Sequence, residues 1–330
     1  MALGIEQLLV GVYTDVSNQT GCTVLLPPVG TVGGIAIRGG APGTREAAAL
    51  GPQGTVTVCH GVVLCGSSLF GLAAAEGVVD WCVANDRGLA LPAGRFPIVG
   101  AAVVMDQRKP GTRRIDRGSG RTACDSATAA DPEMGSIGVG TGCTVGKEAG
   151  PTWASKGGQG WAVERAGPLV VSALMAVNAV GTVYRPDGVV LAGCRAPGHI
   201  PRFPRVSNDL LSCGPTMGAR PRDEAGSFSN TVIGCIVTNA RLDKPSACRV
   251  ADLGHSGTAR SISPAHTSLD GDALFALATG EVEAHIDLVA HLAARAVERA
   301  VRAGVQAAAA LPGRPVDPRA AQWCEPPPTV

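Results

Sequence analysis

The chain has almost no large rings to build a core from. It carries five Phe, four Trp and two Tyr in 330 residues, yet 45% of it is hydrophobic. Its interior must therefore be assembled from Val, Ala, Leu and Ile, side chains that fill thin, closely spaced layers. The 45 glycines show no collagen-like period and point to tight turns and close backbone approaches. Charged residues make up 17%, so the chain as a whole reads as folded. A formal net charge of +1 argues against a nucleic-acid or acidic-membrane surface.

Short β-branched runs separated by Gly and Pro occupy the first part: Cys22 to Leu26, Thr55 to Leu64 and Ile98 to Met105. Leu69, Leu72, Ala73, Val78 and Val79 have helical spacing within Gly66 to Ala84. Residues 107–133 are charged and non-periodic and read as a loop. Residues 194–229, with Pro197, Pro201, Pro204, Pro215 and Pro221, read as a linker. A strand over 232–238 follows, then a helix from Pro245 to about Ile262 with proline in its first turn. Asp270-Gly271-Asp272 forms a turn before a strand from Ala273 to Thr279, and Ile286 to Ala310 is an amphipathic helix. Pro312 to Val330 reads as a mobile tail. This order favours a layered α/β sandwich over a doubly wound sheet.

Eleven cysteines without CxxC pairs, several inside apolar runs (Cys59, Cys65, Cys235), suggest free thiols in a reducing, cytoplasmic setting. The N-terminus lacks a signal-peptide pattern, and Pro168 to Val183 is too short and polar to span a bilayer. No zinc or HExxH spacing is present, so neither a metal nor another cofactor is expected. Gly140 to Lys147 looks like a phosphate loop but fails its test. Thr141 lacks the glycine character, and Glu148 stands where a magnesium-binding hydroxyl belongs. Lys147 is then either a surface lysine or a desolvated, functional one. There is no GxSxG elbow around Ser67.

Three features have both a plain and a chemical reading. Thr231 opens an apolar run directly after the Pro-rich stretch. It is an ordinary strand residue if the chain stays intact. If the chain breaks before it, it holds a hydroxyl nucleophile and its own base, the α-amine. Asn178 sits in the apolar run Met175 to Gly181 and needs partners, since an orphaned buried amide costs roughly 1–3 kcal/mol. A structural amide and an oxyanion donor are equally open there. Asp270 and Asp272 are a turn or, if locally extended, a same-sided acidic pair.

An ordered series of blocks ties these features together. It runs from Thr20–Val24 through Arg38-Gly39-Gly40-Ala41-Pro42-Gly43-Thr44-Arg45-Glu46, Phe70 to Val78, Gly138 to Lys147, Lys156-Gly157-Gly158 and Val177 to Gly181. It ends with Asn230-Thr231-Val232-Ile233-Gly234 and His266 to Asp272. The set resembles the self-processing DmpA-type peptidases, the L-aminopeptidase/D-esterase family, whose relatives include β-aminopeptidases, nylon-oligomer hydrolase and a pantetheine hydrolase. The resemblance implies a four-layer α/β/β/α sandwich similar to N-terminal-nucleophile hydrolases. It implies one catalytic domain over 1–330, cut between Asn230 and Thr231 into an α chain of 1–230 and a β chain of 231–330. Thr231 would match the nucleophile, Asn178 the oxyanion amide, Lys147 a lysine beside it, and Asp270 and Asp272 the acidic pair. Substrates would be small peptides, amides or esters with a free amino group, and the assembly a homotetramer.

Two departures touch the pocket. Met105 stands where some relatives carry an aromatic, and Gly66-Ser67-Ser68-Leu69-Phe70-Gly71 replaces the usual Gly-Gly-Ser-Ala-Phe-Gly. Acyl transfer of the ornithine acetyltransferase type is the rival chemistry, but the Lys-Gly and Ala-Thr-Met-Leu-type stretches expected around its threonine do not adjoin Thr231. A specialised amide hydrolase, acting on pantetheine or ω-amino-acid oligomers, and a pseudoenzyme complete the alternatives.

Overall fold

The computed structural model describes residues 1–106, 111–199 and 230–323. Two five-stranded sheets face each other, and each carries a helix pair on its outer face. The first sheet uses β1 (Leu9–Asp15), β2 (Thr20–Leu26), β4 (Thr44–Arg45), β5 (Gly61–Cys65) and β6 (Val99–Val103), in the order β1-β2-β5-β6-β4. The second uses β3 (Val32–Ile37), β7 (Gly158–Ala166), β8 (Leu169–Asn178), β9 (Thr231–Ala240) and β10 (Ala273–Val282), in the order β7-β8-β9-β10-β3. Helices α1 (Ala74–Ala84) and α2 (Arg117–Asp125) cover the first sheet, and α3 (Lys244–Ser261) and α4 (Ile286–Gln306) cover the second. This is the expected four-layer α/β/β/α sandwich.

Side-chain alternation along the strands divides the core into three slabs. Along β9, Ile233, Cys235 and Val237 point between the sheets, where they meet Leu25, Leu64 and Phe275. Val232 and Ile236 point the other way, into the slab shared with Val250, Val297 and Val301 of α3 and α4. A third slab joins Val63 and Ala101 of the first sheet to Ala74, Val78 and Ala123 of its helices. The fully buried ring of Phe275, between the sheets, lies over Gly100, where an added Cβ would sit 2.6 Å from it. The scarcity of aromatics thus goes with sheets and helices packed at glycine contacts.

The 107–133 segment is not wholly a loop. Asp116 caps α2: its Oδ1 accepts from Ser119 N at 2.8 Å, and Ser119 Oγ accepts from Asp116 N at 3.4 Å, a reciprocal box that starts the helix without an apolar stripe. The strand expected over Thr55–Leu64 is confined to Gly61–Cys65. Nor is Pro312 onward simply a tail. Arg314, Asp317 and Ala320 are buried, because Arg314 donates to the carbonyls of Gly142 and Asp106, and Asp317 accepts from Gly193 N. Residues 324–330 lie outside the described residues, as do 200–229, most of the expected linker. Among the described residues, no helix is long and apolar enough to cross a membrane. The nine described cysteines are all free and buried, and burial pushes the Cys22 thiol up to about 12 and Cys59 to about 11.

One helix holds a controlled comparison. Gly120 in α2 meets Ala74 of α1 so closely that a Cβ there would lie 2.0 Å from the Ala74 carbonyl oxygen, whereas Gly118 is exposed and its nearest neighbour is 3.4 Å away. Gly118→Ala is therefore expected to stabilise the fold by about 0.5–1 kcal/mol, and Gly120→Ala to destabilise it by about 1–3 kcal/mol. Chemical denaturation of the two variants checks the opposite signs.

Candidate active site

The site is built where three strands of the second sheet end together. In the β8–β9 antiparallel pair, Asn178 stands directly opposite Thr231. β10 runs parallel to β9, and one step before it Asn230 bridges to Asp270. The sheet register alone thus brings Asn178, Asn230, Thr231 and the Asp270-Gly271-Asp272 turn to one place. All are buried, with Thr231 5% exposed.

Lys147 joins them from the turn after the Gly-rich loop. The lysine is 4% exposed, so the desolvated alternative holds over the surface one. Its Nζ donates to the Asn178 main-chain oxygen at 2.7 Å and to Asn178 Oδ1 at 3.0 Å. Asn178 Oδ1 also accepts from Thr144 N at 3.0 Å, and its Nδ2 donates to the Met105 carbonyl at 3.2 Å. Two donors on Oδ1 fix which end of the amide carries the NH₂ group. The Gly-rich loop itself is not a phosphate cradle. Its carbonyls at Gly140 and Cys143 accept from the buried Lys156 Nζ at 2.8 and 3.0 Å, so it presents oxygens, not N–H groups, to its ligand.

The carboxylates divide their work. Asp272 Oδ1 accepts from Val232 N at 2.7 Å, which pins the residue after Thr231. Its Oδ2 accepts from His266 N at 3.1 Å and lies 2.7 Å from His266 Nδ1. Asp270 Oδ2 accepts from Thr267 N at 2.8 Å and Thr267 Oγ1 at 2.5 Å. Burial, then the Asp272 charge, holds the Asp270 carboxyl above its ordinary range, against the pull of Thr267 and of the Lys147 ammonium. Burial would lower His266, but the hydrogen bond and charge of Asp272 outweigh it and raise it, while burial drives its edge-on neighbour His255 down to about 4.

Thr231 Oγ1 donates to the carbonyl oxygen of Asn230, the residue before it. The same oxygen accepts from Gly271 N at 3.3 Å. A side chain at position 271 would crowd this point, since a Cβ there would lie 3.0 Å from Thr231 Oγ1. The Arg38–Ala41 block explains itself here too. Arg38 N and Gly39 N donate to Asp272 O, and Ala41 N donates to Asp270 O. A Cβ on Gly39 would lie 2.3 Å from Asp270 O, so only glycine lets that strand end clamp the acidic turn.

The structure brings all five side chains singled out in the sequence to one locus. Sequence reasoning passed over two groups. His266 stood inside a quoted block but showed no spacing that singled it out. The Gly271 N–H is a main-chain donor and has no side-chain signal. A cavity of about 370 Å³ opens beside Thr231, walled by Pro42, Leu69, Val103, Met105 and Leu269, and no charged side chain lines it among the described residues. A larger cleft of about 950 Å³, lined by Asn18, Arg195 and Arg314 among others, does not include Thr231, which borders the smaller cavity.

The sequence model of peptidase family S58 matches residues 4–317. The chain belongs to peptidase family S58. As an S58 member it is a hydrolase, of the aminopeptidase and amidase kind. An uncharacterized aminopeptidase of Mycobacterium tuberculosis is 40% identical over 278 residues, covering 79% of this chain and 74% of the relative. The 6-aminohexanoate-oligomer endohydrolase of Paenarthrobacter ureafaciens is 31% identical over 273 residues, covering 81% and 71%. The fold is that of the L-aminopeptidase D-Ala-esterase/amidase of Ochrobactrum anthropi, described as a variant of the Ntn hydrolase fold. The TM-score is 0.67 at 18% identity, over 94% of this chain and 88% of that one. A Burkholderia sp. β-aminopeptidase matches with the same TM-score over 96% and 89%.

The raised Asp270 carboxyl makes a signed prediction. The fold favours its protonated form, so this contribution to stability is full below the unfolded value of about 4 and is lost as pH rises through the higher folded value. Asp270→Asn should therefore melt above the parent at pH 7, with the advantage shrinking toward pH 4. Calorimetry across that range reads it, and a variant that melts lower at pH 7 contradicts the assignment.

Proposed function

We propose that this S58 peptidase cuts itself between Asn230 and Thr231 and then uses Thr231 as an N-terminal nucleophile. The observation that carries the reading is the contact of the Thr231 hydroxyl with the Asn230 carbonyl, whose oxygen also receives the Gly271 N–H. In the uncut chain, Thr231 Oγ attacks the Asn230 carbonyl carbon. The Oγ–C bond forms, the C–N bond breaks, and the hydroxyl proton passes to the departing Thr231 amine. Gly271 N–H stabilises the oxyanion in this step. Water then hydrolyses the ester, giving the Asn230 carboxylate and a free Thr231.

A buried orphan supports cleavage here. Among the described residues, Asn230 Oδ1 has no hydrogen-bond partner although its residue is 3% exposed. An unmet buried acceptor costs about 1–3 kcal/mol, which the chain regains when the new terminus reaches water. In the mature enzyme the Thr231 α-amine takes the hydroxyl proton while Oγ attacks the substrate. Asn178 Nδ2 stabilises the oxyanion, Lys147 holds Asn178 in place, and Asp270 and Asp272 orient the strand end.

The proposed substrates are small amides, peptides or esters with a free amino group. The apolar cavity takes the acyl side chain, and its size suits one residue. The ω-amino acyl chain of the nylon-oligomer relative is a specialised case of the same chemistry. The free buried cysteines support a reducing compartment such as the cytoplasm. A homotetramer of αβ units is the proposed assembly.

Kinetics on a panel of aminoacyl p-nitroanilides, with α-, β-, D- and 6-aminohexanoyl groups, test this reading. Uncharged acyl groups should exceed aspartyl and glutamyl ones in kcat/KM by at least about tenfold, because a carboxylate would be buried without a partner. Asn178→Ala should lower kcat by about 10²–10³. Thr231→Ala should show no turnover, and measurable turnover in that variant overturns the nucleophile.

A further inference from the structure

Glu148 follows Lys147 directly, at the point where a phosphate loop would need a hydroxyl. Its side chain is 4% exposed, and its carboxylate faces His199 Nε2 at 3.3 Å. The buried thiol of Cys194 completes the group, with one donor atom from each residue within 4.8 Å of the other two. Thr182 Oγ1 donates to Glu148 Oε1 at 3.4 Å, but among the described residues Glu148 Oε2 and His199 Nε2 have no hydrogen-bond partner.

The 3.3 Å separation is informative. Charge-assisted N–H···O bonds run at about 2.7–2.9 Å, so this is a poor hydrogen bond. Two ligand atoms about 2.0–2.1 Å from a tetrahedral ion, by contrast, stand about 3.3–3.4 Å apart. The residues are also held together without an ion. Gly146, at φ +68°, packs so tightly on the neighbouring chain that a Cβ would lie 2.1 Å from Cys194 N. Arg195 N donates to Trp153 O at 2.9 Å, and its guanidinium to Thr152 O at 2.9 Å, which anchors the stretch between Cys194 and His199.

We propose that Glu148, Cys194 and His199 form a binding site for one zinc-class divalent cation, with a fourth position open to water or another ligand. Sulfur, imidazole and carboxylate together suit zinc and not magnesium or calcium. Cys194 gives its proton to solvent on binding, and the thiolate and carboxylate then balance the charge of the ion. Burial holds the Glu148 carboxyl up against the His199 contact, and a cation relieves that burden. The ion ties the turn bearing Lys147, which grips Asn178, to the segment that leads on toward Asn230. Spacing rules could not see this site, since its ligands lie 46 and 5 residues apart in the chain.

The test uses untagged, full-length protein freed of metal with chelator. CoCl₂ titrated without oxygen should give one equivalent of binding, a thiolate-to-cobalt charge-transfer band and visible bands of tetrahedral intensity, all displaced by ZnCl₂. Cys194→Ser should remove the charge-transfer band, and His199→Gln should weaken binding at least about tenfold. ZnCl₂ should raise the melting temperature of the parent and not of either variant. Absence of the band in the parent overturns the site, and so does full-strength binding in either variant. None of these readouts depends on cleavage or turnover, so the site stands or falls separately from the Thr231 chemistry.

Discussion

The register between β8 and β9 is the constraint on which the site depends. Because strand side chains alternate with a period of two, a slip of one residue would turn Thr231 away from Asn178 and swap every apolar residue of β9 between slabs. Ile233, Cys235 and Val237 on one face, and Val232 and Ile236 on the other, are all fully or nearly fully buried. At about 1.5–3 kcal/mol for each buried branched or large aliphatic side chain, no slipped register competes. The core therefore positions Thr231 to within one residue before any polar contact forms.

Polar contacts then set the orientation. Asp272 bonds to Val232 N, Gly271 N to Asn230 O, and the Arg38–Ala41 edge to both acidic residues, so main-chain groups carry most of the positioning. Main-chain donors move little, so the arrangement is preorganised. Glycine makes that intimacy affordable at Gly39 and Gly271, as it does for the paired helices α1 and α2 at Gly77 and Gly120. The same composition that denies the chain large rings supplies these close approaches.

The apolar strands and the long helices were legible because their periodicities are strong. Thr231–Ala240 and Ile286–Gln306 needed only boundary changes from the expected ranges. The five site residues were legible through the ordered blocks and not through spacing, since Asn178 and Thr231 meet only across a sheet. What stayed hidden has physical reasons. Helix α2 is set by a capping box on Asp116 and has too few apolar residues to show a stripe. Arg314 and Asp317 look like tail charges until their carbonyl and amide partners are in view. The coupling of His266 to Asp272 is a local contact in a turn that no periodicity encodes. Glu148, Cys194 and His199 are gathered by packing at Gly146, which a linear spacing rule does not represent.

On the proposed function, the Asn230–Thr231 peptide bond at the start of β9 is the scissile bond. Intact-mass spectrometry of purified, unboiled and denatured protein measures this most directly. Two chains, 1–230 and 231–330, with the second beginning at an unblocked Thr231, are the result the account predicts. A stable single chain of 330 residues, or a new terminus at any other position, would contradict it.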